Sequence, residues 1–463
     1  MRNIQQLGGL QRRLRKLVSR LGIPHLVGIF VFLILLCQFW ALPALTQEPV
    51  TVTVLMNAGE VQRWKDLIVK DFEKENPDIR IQIIEAPNAT DLTENLYTSA
   101  FILGDSPYDL VYMDTIWTAK FAAAGWLLDL SNRVTDKDLK VFLDKDVEAG
   151  RYKGKLYRIP LRSDVGMLYY RKDLLEKVGA KPPETFEELI KVSKQLQEEK
   201  AAHWGYVWQG AQYEGLSAMF VEVLKGAGGF WVNPETNEVG LDKPEAIKAV
   251  EFLRSAIAQG ISPPGVTTYR EEETRRLFVS GEVAFLRNWP YVWSSANEDT
   301  SKIKGKIGIK PMVHVPGETG GASLGGWGMG IAKTSKHPEE AWKAIQYFSS
   351  KEPQIRFTLE TGNISSRRDL FTDPQIIAKY PHYPQLQKVV ESAVLRPSIA
   401  QYAQASDILQ RYLNGTLSNT QLSAEKAMKS AADETRRLLG AVNKGLPKNK
   451  LPPVKGDALK SEQ

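Results

Sequence analysis

The chain contains very little cysteine and little histidine. Of its 463 residues, one is a cysteine, Cys37, and five are histidines. A single cysteine excludes any disulfide within the chain, so stability has to come from large hydrophobic cores. The histidines at positions 25, 203, 314, 337 and 382 are isolated from one another, so no local metal-binding pattern is present. We expect no metal and no other cofactor.

Most of the chain also lacks a net charge. The formal charge is +6, but the first 44 residues hold six basic side chains and no acidic one. Without those six, the basic and acidic residues are equal in number, at 54 each. A body with no net charge has little general attraction for nucleic acid, so we expect no nucleic-acid partner.

The basic residues at the N-terminus precede an unbroken apolar run, Leu26 to Cys37. This order is typical of an export signal, and the run is shorter than the roughly 20 apolar residues of a membrane-spanning helix. We predict that residues 1–45 are a signal peptide or a membrane anchor. Cleavage after Ala44, lipidation at Cys37 and retention of the segment all remain open. The predicted location is periplasmic or otherwise extracytoplasmic, and residues 442–463 are predicted to form a flexible C-terminal tail.

Strand and helix patterns alternate after this segment. Val50–Met56, Ile79–Ile84 and Asp109–Met113 are predicted strands, and the stretches between them carry apolar residues at helical spacing. Such alternation builds a parallel sheet flanked by helices. The sequence therefore predicts an α/β fold. A glycine-rich segment, Gly317–Gly330, precedes the next predicted helix, and Ser323 within it is expected to lie in a loop.

One segment resembles a pattern that carries a catalytic serine. Gly321–Gly325 matches the Gly-x-Ser-x-Gly nucleophile pattern around Ser323, with Asp369 and His382 further along the chain. A nucleophile of that kind follows a hydrophobic strand, whereas the residues before Gly321 are typical of a loop. No glycine loop suited to phosphate is present either. We predict that the protein is not an enzyme.

Carboxylates and indoles are placed where this fold class binds ligands, beyond the carboxyl ends of the strands. Glu60 follows the first predicted strand and Asp114 the third, and Asp164 follows a proline-containing segment. Carboxylates accept hydrogen bonds from sugar hydroxyls, and indole faces stack on pyranose rings. Asp114 has the alternative role of a helix cap. Four of the 11 tryptophans lie in predicted loops or at strand ends: Trp117, Trp289, Trp293 and Trp327.

Several segments together resemble the family of extracellular solute-binding proteins that deliver maltose, trehalose and related sugars to ABC permeases. The likeness covers nearly all of residues 50–440. It is carried by residues 112–117, 121–126, 164–173, 212–216, 288–291, 324–327 and 396–397.

The resemblance implies a two-lobed periplasmic-binding-protein fold of the class II type, each lobe a mainly parallel sheet flanked by helices, with hinge crossings. Lobe 1 would comprise residues 50–159 plus 324–361, and lobe 2 residues 160–323 plus 362–441. The implied partners are a small sugar and the membrane permease subunits of an ABC transporter with its cytoplasmic ATPase. The protein itself is expected to be a monomer.

The resemblance also implies roles for individual residues. Glu60, Asp114 and Asp164 would accept hydrogen bonds from sugar hydroxyls, while Trp289 and Trp327 would stack on the rings. Donors would be the backbone N–H groups of Gly325 and Gly326 and the side chain of Arg396. Tyr213 and Glu214 are further implied contacts.

The sequence departs from the family pattern at Arg162 and Ser163, next to Asp164. The predicted ligand is a di- or oligosaccharide of the trehalose, maltose, sucrose or glucosylglycerol class. Two alternatives remain: a glycerol-phosphate-binding protein of the same fold, and a secreted glycosidase that uses the carboxylates as a catalytic pair.

Overall fold

The computed structural model describes residues 48–88, 90–104 and 106–443. The predicted signal or anchor, residues 1–45, and the tail from residue 444 onward lie outside the described residues. The described residues from Thr51 to Asn443 belong to one compact unit. Within the described ranges, no helix is both long and apolar enough to cross a membrane.

The strands are short, and many alternate with helices. They are β1 Val50–Asn57, β2 Ile79–Ala86, β3 Leu110–Asp114, β4 Arg151–Tyr152, β5 Lys155–Leu156, β6 Ile159–Val165, β7 Met167–Arg171, β8 Trp204–Val207, β9 Val283–Asn288, β10 Ile307–Lys310, β11 Ala322–Ile331, β12 Ile364–Ser365 and β13 Ala393–Val394.

The helices lie between the strands and at the C-terminal end of the described chain. They are α1 Ala58–Trp64, α2 Lys70–Glu75, α3 Thr90–Leu103, α4 Thr118–Ala123, α5 Asp136–Leu139, α6 Asp144–Glu148, α7 Lys172–Lys177, α8 Phe186–Glu198, α9 Glu214–Gly226, α10 Pro244–Ala258, α11 Glu271–Val279, α12 Val292–Ala296, α13 Pro338–Phe348, α14 Lys351–Thr361, α15 Pro374–Lys379, α16 Tyr383–Glu391, α17 Tyr402–Ser418 and α18 Ala424–Asn443. A π-helical turn, Lys65–Val69, joins α1 to α2.

Two sheets organise the molecule. The first has the strand order β12-β6-β11-β3-β1-β2, with β13 also paired to β11, and the second has the order β10-β7-β9-β8. The pairs β1/β3 and β8/β9 are parallel, as predicted. The expectation of mainly parallel sheets needs a correction, because β11 is antiparallel to both β3 and β6, and β7 is antiparallel to both β9 and β10.

The chain passes from the first sheet to the second at Gly166. Pro160 lies inside the continuous strand β6, and Gly166 separates β6 from β7. A Cβ atom on Gly166 would lie 1.7 Å from Glu222 Oε1 and 2.1 Å from Arg287 Nη2. Only glycine fits here, because the crossing runs directly over a buried ion pair.

The expectation that Ser323, within the glycine-rich segment Gly317–Gly330, lies in a loop is wrong. Residues 322–331 form β11, a fully buried strand between β3 and β6. A Cβ atom on Gly328 would come within 2.4 Å of the Ile159 carbonyl oxygen, and Gly326 has φ +113° and the same closeness to the Arg162 carbonyl. The glycines are therefore needed because the backbone of β6 packs directly against the backbone of β11. In the sequence alone, such a run of glycines looks like a loop.

The cores lie on the faces of both sheets. Trp117, predicted at a strand end with little need to pack, is 1% exposed and belongs to the core of the first sheet. Its ring contacts Trp327 edge to face at a centroid distance of 5.4 Å. Residue 117 is thus a core residue, because the short 3₁₀ turn after β3 directs its side chain inward.

Candidate ligand-binding cleft

A cleft of about 970 Å³ is lined by residues from both sheets and the helices that follow their strands. It brings together every residue that the sequence predicted for sugar binding. These are Glu60, Asp114, Asp164, Tyr213, Glu214, Trp289, Gly325, Gly326, Trp327 and Arg396. Their gathering follows from strand ends that meet at one edge, as expected for α/β sheets.

One end of the cleft contains a guanidinium held between two carboxylates. Arg162 Nη1 lies 2.8 Å from Glu60 Oε1, and Arg162 Nε lies 2.9 Å from Asp164 Oδ2. The second oxygen of Glu60 accepts a hydrogen bond from the Tyr112 hydroxyl at 2.9 Å. The Arg162 side chain is 16% exposed. Burial raises the pKa of the Asp164 carboxyl above its usual range, although Arg162 acts in the opposite direction.

A second guanidinium, Arg396, is shared in the same way. Its Nη2 lies 3.1 Å from Asp114 Oδ1, and its Nη1 lies 2.7 Å from Glu214 Oε1. Glu214 also accepts hydrogen bonds from Tyr402 and Ser406, at 2.5 and 2.6 Å. Burial alone would lower the pKa of the Arg396 guanidinium, but its partners, Asp114 foremost, hold that pKa above its usual range.

Asp114 combines both roles that the sequence allowed. Its Oδ1 accepts from the backbone N–H of Ile116 at 3.3 Å, which caps the 3₁₀ turn after β3, and the same oxygen contacts Arg396. Capping therefore does not remove this residue from the cleft.

Trp289 is fixed along one face and one edge. The Arg287 guanidinium lies over the indole ring at 4.2 Å, and the indole Nε1 donates to Glu271 Oε1 at 3.3 Å. The side chain is half-buried, and it borders the cleft. A Cβ atom on Gly325 would lie 3.4 Å from Trp289 Cζ3 and 3.3 Å from Asp164 Cβ. The Cβ atom of Asp164 and one edge of the indole therefore both approach Gly325 from the side on which a larger residue would carry its side chain.

Trp327 is in a different situation from Trp289. It is 5% exposed, its ring stacks on Tyr112 at a centroid distance of 4.9 Å, and Arg162 lies over it at 5.8 Å. An indole covered in this way offers little surface to a sugar ring, so Trp327 supports the cleft wall more than it faces the cleft. Trp293 does not line the cleft: it stacks on His382 at 3.8 Å.

The remaining predicted residues lie at the cleft edge. Gly325 and Gly326 pair with Asp164 and Ser163 in the β11/β6 ladder. The Tyr213 ring lies 5.1 Å from the Arg270 guanidinium. Donation from the glycine N–H groups to a ligand stays a prediction.

Sequence reasoning missed several lining residues. They lack a motif and reach the cleft from helix starts that are distant in sequence. They are Asn88, Glu94, Arg270, Glu271, Tyr402 and Ser406.

The Gly-x-Ser-x-Gly pattern around Ser323 lies in a strand and not at an exposed turn. Ser323 lies within β11, fully buried, and its backbone N–H donates to Glu222 at 3.2 Å. Among the residues that the structure describes, no group of three or more histidine, cysteine or acidic side chains is arranged to hold a metal ion.

Comparison with known proteins agrees with this fold and cleft. The profile of the bacterial extracellular solute-binding proteins matches residues 57–355. A probable ABC transporter-binding protein of Deinococcus radiodurans is 30% identical over 78% of this chain and 87% of its own. A maltotriose-binding protein of Pyrococcus abyssi is 26% identical over 69% of this chain and 67% of its own. Among solved structures, maltose-bound T. maritima MalE3 is 37% identical with a TM-score of 0.76, covering 84% of this chain and 100% of that one.

The chain belongs to the bacterial extracellular solute-binding proteins. The family resemblance found in the sequence is confirmed, and so is the α/β class with the two-lobed architecture of its solved neighbours. Its relatives are binding proteins, so the protein is a receptor for a solute and not an enzyme.

Proposed function

We propose that this protein is the substrate-binding subunit of an ABC sugar importer. It captures a neutral di- or oligosaccharide, of the trehalose, maltose, sucrose or glucosylglycerol class, and delivers it to the permease. Relatives named for maltotriose and maltose binding support a saccharide ligand.

The observation that carries this proposal is the pairing of Trp289 with Asp164. A pyranose has an apolar C–H face and a rim of hydroxyl groups. A ring stacked on the free face of Trp289 would place its rim beside the Asp164 carboxylate, because both side chains flank Gly325 within 3.4 Å of the position of a Cβ atom. An aromatic face beside a hydrogen-bond acceptor suits the two surfaces of a sugar.

The charge of the cleft favours a neutral ligand over a glycerol phosphate. Acidic lining residues outnumber basic ones by eight to three. Each of the two inner guanidiniums, Arg162 and Arg396, is already shared by two carboxylates. A phosphate needs cations that are free to pair with it, and it would be repelled by the surplus of carboxylates.

The two ionic clusters differ in what they connect. Glu60, Asp114, Arg162 and Asp164 lie on or just after strands of the first sheet, whereas Glu214 lies on α9, which follows β8 of the second sheet. Of the two clusters, the one around Arg396, which pairs Asp114 with Glu214, would then join the lobes across the cleft. A ligand that contacts groups of both lobes binds the closed state better, so closure reports occupancy to the permease.

Delivery to a permease places the protein outside the cytoplasmic membrane. An extracytoplasmic location agrees with the family and with the export-type N-terminus. A single cleft that contains the whole site agrees with action as a monomer.

The test is calorimetric titration of the chain from residue 46, which contains the whole compact unit that begins at Thr51. Trehalose, maltose, sucrose and glucosylglycerol are titrated separately, with glycerol 3-phosphate as the anionic comparison, and each mixture is checked for hydrolysis. We expect one-to-one binding of an intact neutral saccharide. Binding of glycerol 3-phosphate alone, or cleavage of a sugar, would refute the proposal.

A further inference from the structure

Arg162 lines the cleft at a position where the sequence departs from the family pattern. The structure shows what this side chain contacts. Its guanidinium bridges Glu60 and Asp164, and it lies over the covered indole of Trp327. Moving it away to admit a ligand would leave two mostly buried carboxylates without a cation, which is costly. Arg162 is therefore a fixed part of the cleft wall.

The contacts of Arg162 also orient the neighbouring acceptors. Both Glu60 oxygens are engaged, one by Arg162 and the other by the Tyr112 hydroxyl. Asp164 Oδ2 accepts from Arg162 Nε, while the Cβ atom of Asp164 and an edge of the Trp289 indole both approach Gly325. The guanidinium, which donates to Asp164 through Nε and to Glu60 through Nη1, thus fixes the Asp164 carboxylate close to where a stacked ring would present its hydroxyls.

We propose that Arg162 is a positioning residue for the ligand, which holds the Asp164 carboxylate in place as an acceptor for the hydroxyl groups of a saccharide stacked on Trp289. This inference rests on the proposed function. Arg162 would then favour ligands with hydroxyl donors at this end of the cleft through its effect on Asp164, without contacting the sugar itself.

The physical reason lies in the charges that surround Asp164. Arg162 is its stabilising cation, while Glu60 and Asp114 repel its negative charge. Burial already raises the pKa of Asp164, and loss of Arg162 would raise that pKa further. A protonated carboxyl donates a hydrogen bond where the ionised form accepts two or more, so it no longer matches a rim of hydroxyl donors.

The experiment compares maltose and glucosylglycerol binding to wild type and Arg162→Met from pH 5 to pH 8 by calorimetry. We expect Arg162→Met to weaken binding about tenfold at pH 7, the size of one lost charge-assisted hydrogen bond. We also expect the pH at which affinity falls on acidification to move upward in this variant. Arg162→Lys, which retains the charge without the fork, should recover most of the wild-type pH profile.

Two further variants separate positioning from a structural role. Arg133 pairs with Glu339 and lies over Trp342 at 5.8 Å, the same arrangement as Arg162 over Trp327, but it does not line the cleft. Arg133→Met is the matched control, and its affinity and pH profile should equal those of wild type. The double variant Arg162→Met/Asp164→Asn carries no titrating Asp164, so its weak binding should lose the upward-shifted pH dependence.

The outcomes distinguish this inference from the function on which it rests. If wild type binds no saccharide, both the proposed function and the inference are wrong. If wild type binds and folded Arg162→Met, or Arg162→Lys, shows unchanged affinity and an unchanged pH profile, the inference alone is overturned. Should Arg162→Met fail to fold, the double variant and Arg162→Lys decide: a double variant with wild-type affinity would overturn the inference.

Discussion

Replacement of Trp289 by alanine should remove the stacking surface of the cleft. One face of this indole is occupied by Arg287 at 4.2 Å, so a single face is left for one sugar ring. Loss of one stacked ring costs about 1–3 kcal/mol of binding free energy, which corresponds to a Kd about 5- to 150-fold higher. The fold should persist, because Arg287 keeps its hydrogen bonds to Glu222 and Gln209.

Calorimetry with the best-binding saccharide measures this change, with thermal unfolding as the check on folding. Trp293→Ala is the matched control, because this half-buried tryptophan stacks on His382 away from the cleft. Trp289→Phe should lose less affinity than Trp289→Ala. An unchanged Kd for folded Trp289→Ala, or an equal loss in Trp293→Ala, would refute the stacking role.

Three further changes test other parts of the structure. Asp114→Ala should weaken saccharide binding by about 1–3 kcal/mol while the thermal midpoint shows a folded protein; equal affinity would remove Asp114 from the site. Arg287→Met leaves the fully buried Glu222 without its cation and should lower the free energy of unfolding by about 3–5 kcal/mol in a denaturant titration; a loss below about 1 kcal/mol would contradict this. Burial, partly opposed by Arg158, raises the pKa of Asp146 to about 7, so the folded protein holds a proton that the unfolded chain releases, and stability falls as pH rises toward that value. Asp146→Asn should therefore gain thermal midpoint relative to wild type between pH 5 and pH 8, and a difference independent of pH would contradict the assignment.

The early part of the fold was predictable because its signals are local. β1, β2 and β3 follow runs of β-branched and apolar residues, and the structure places them within a few residues of the predicted bounds. The strand β11 was missed because its glycines are required by neighbours distant in sequence. The carbonyls of Ile159 and Arg162 occupy the space that side chains on β11 would need, and no local pattern reveals this.

The sequence predicted many of the residues that line the cleft, but not how those residues contact one another. Family segments pointed to the residues that line it, including Trp289 and Arg396. The covering of Trp327 by Tyr112 and the ionic clusters around Arg162 depend on how the strands pack. Arg162 was visible in the sequence only as a departure from the family pattern, and its partners came from the structure.

The central claim is that a saccharide binds on Trp289 beside Asp164. The most direct test is a crystal structure of the protein with the saccharide that binds tightest by calorimetry. We predict a pyranose ring stacked on the indole face opposite Arg287, with a ring hydroxyl donating to the Asp164 carboxylate and Arg162 still bridging Glu60 and Asp164. A sugar bound outside this cleft, or one whose rings avoid Trp289, would contradict the account.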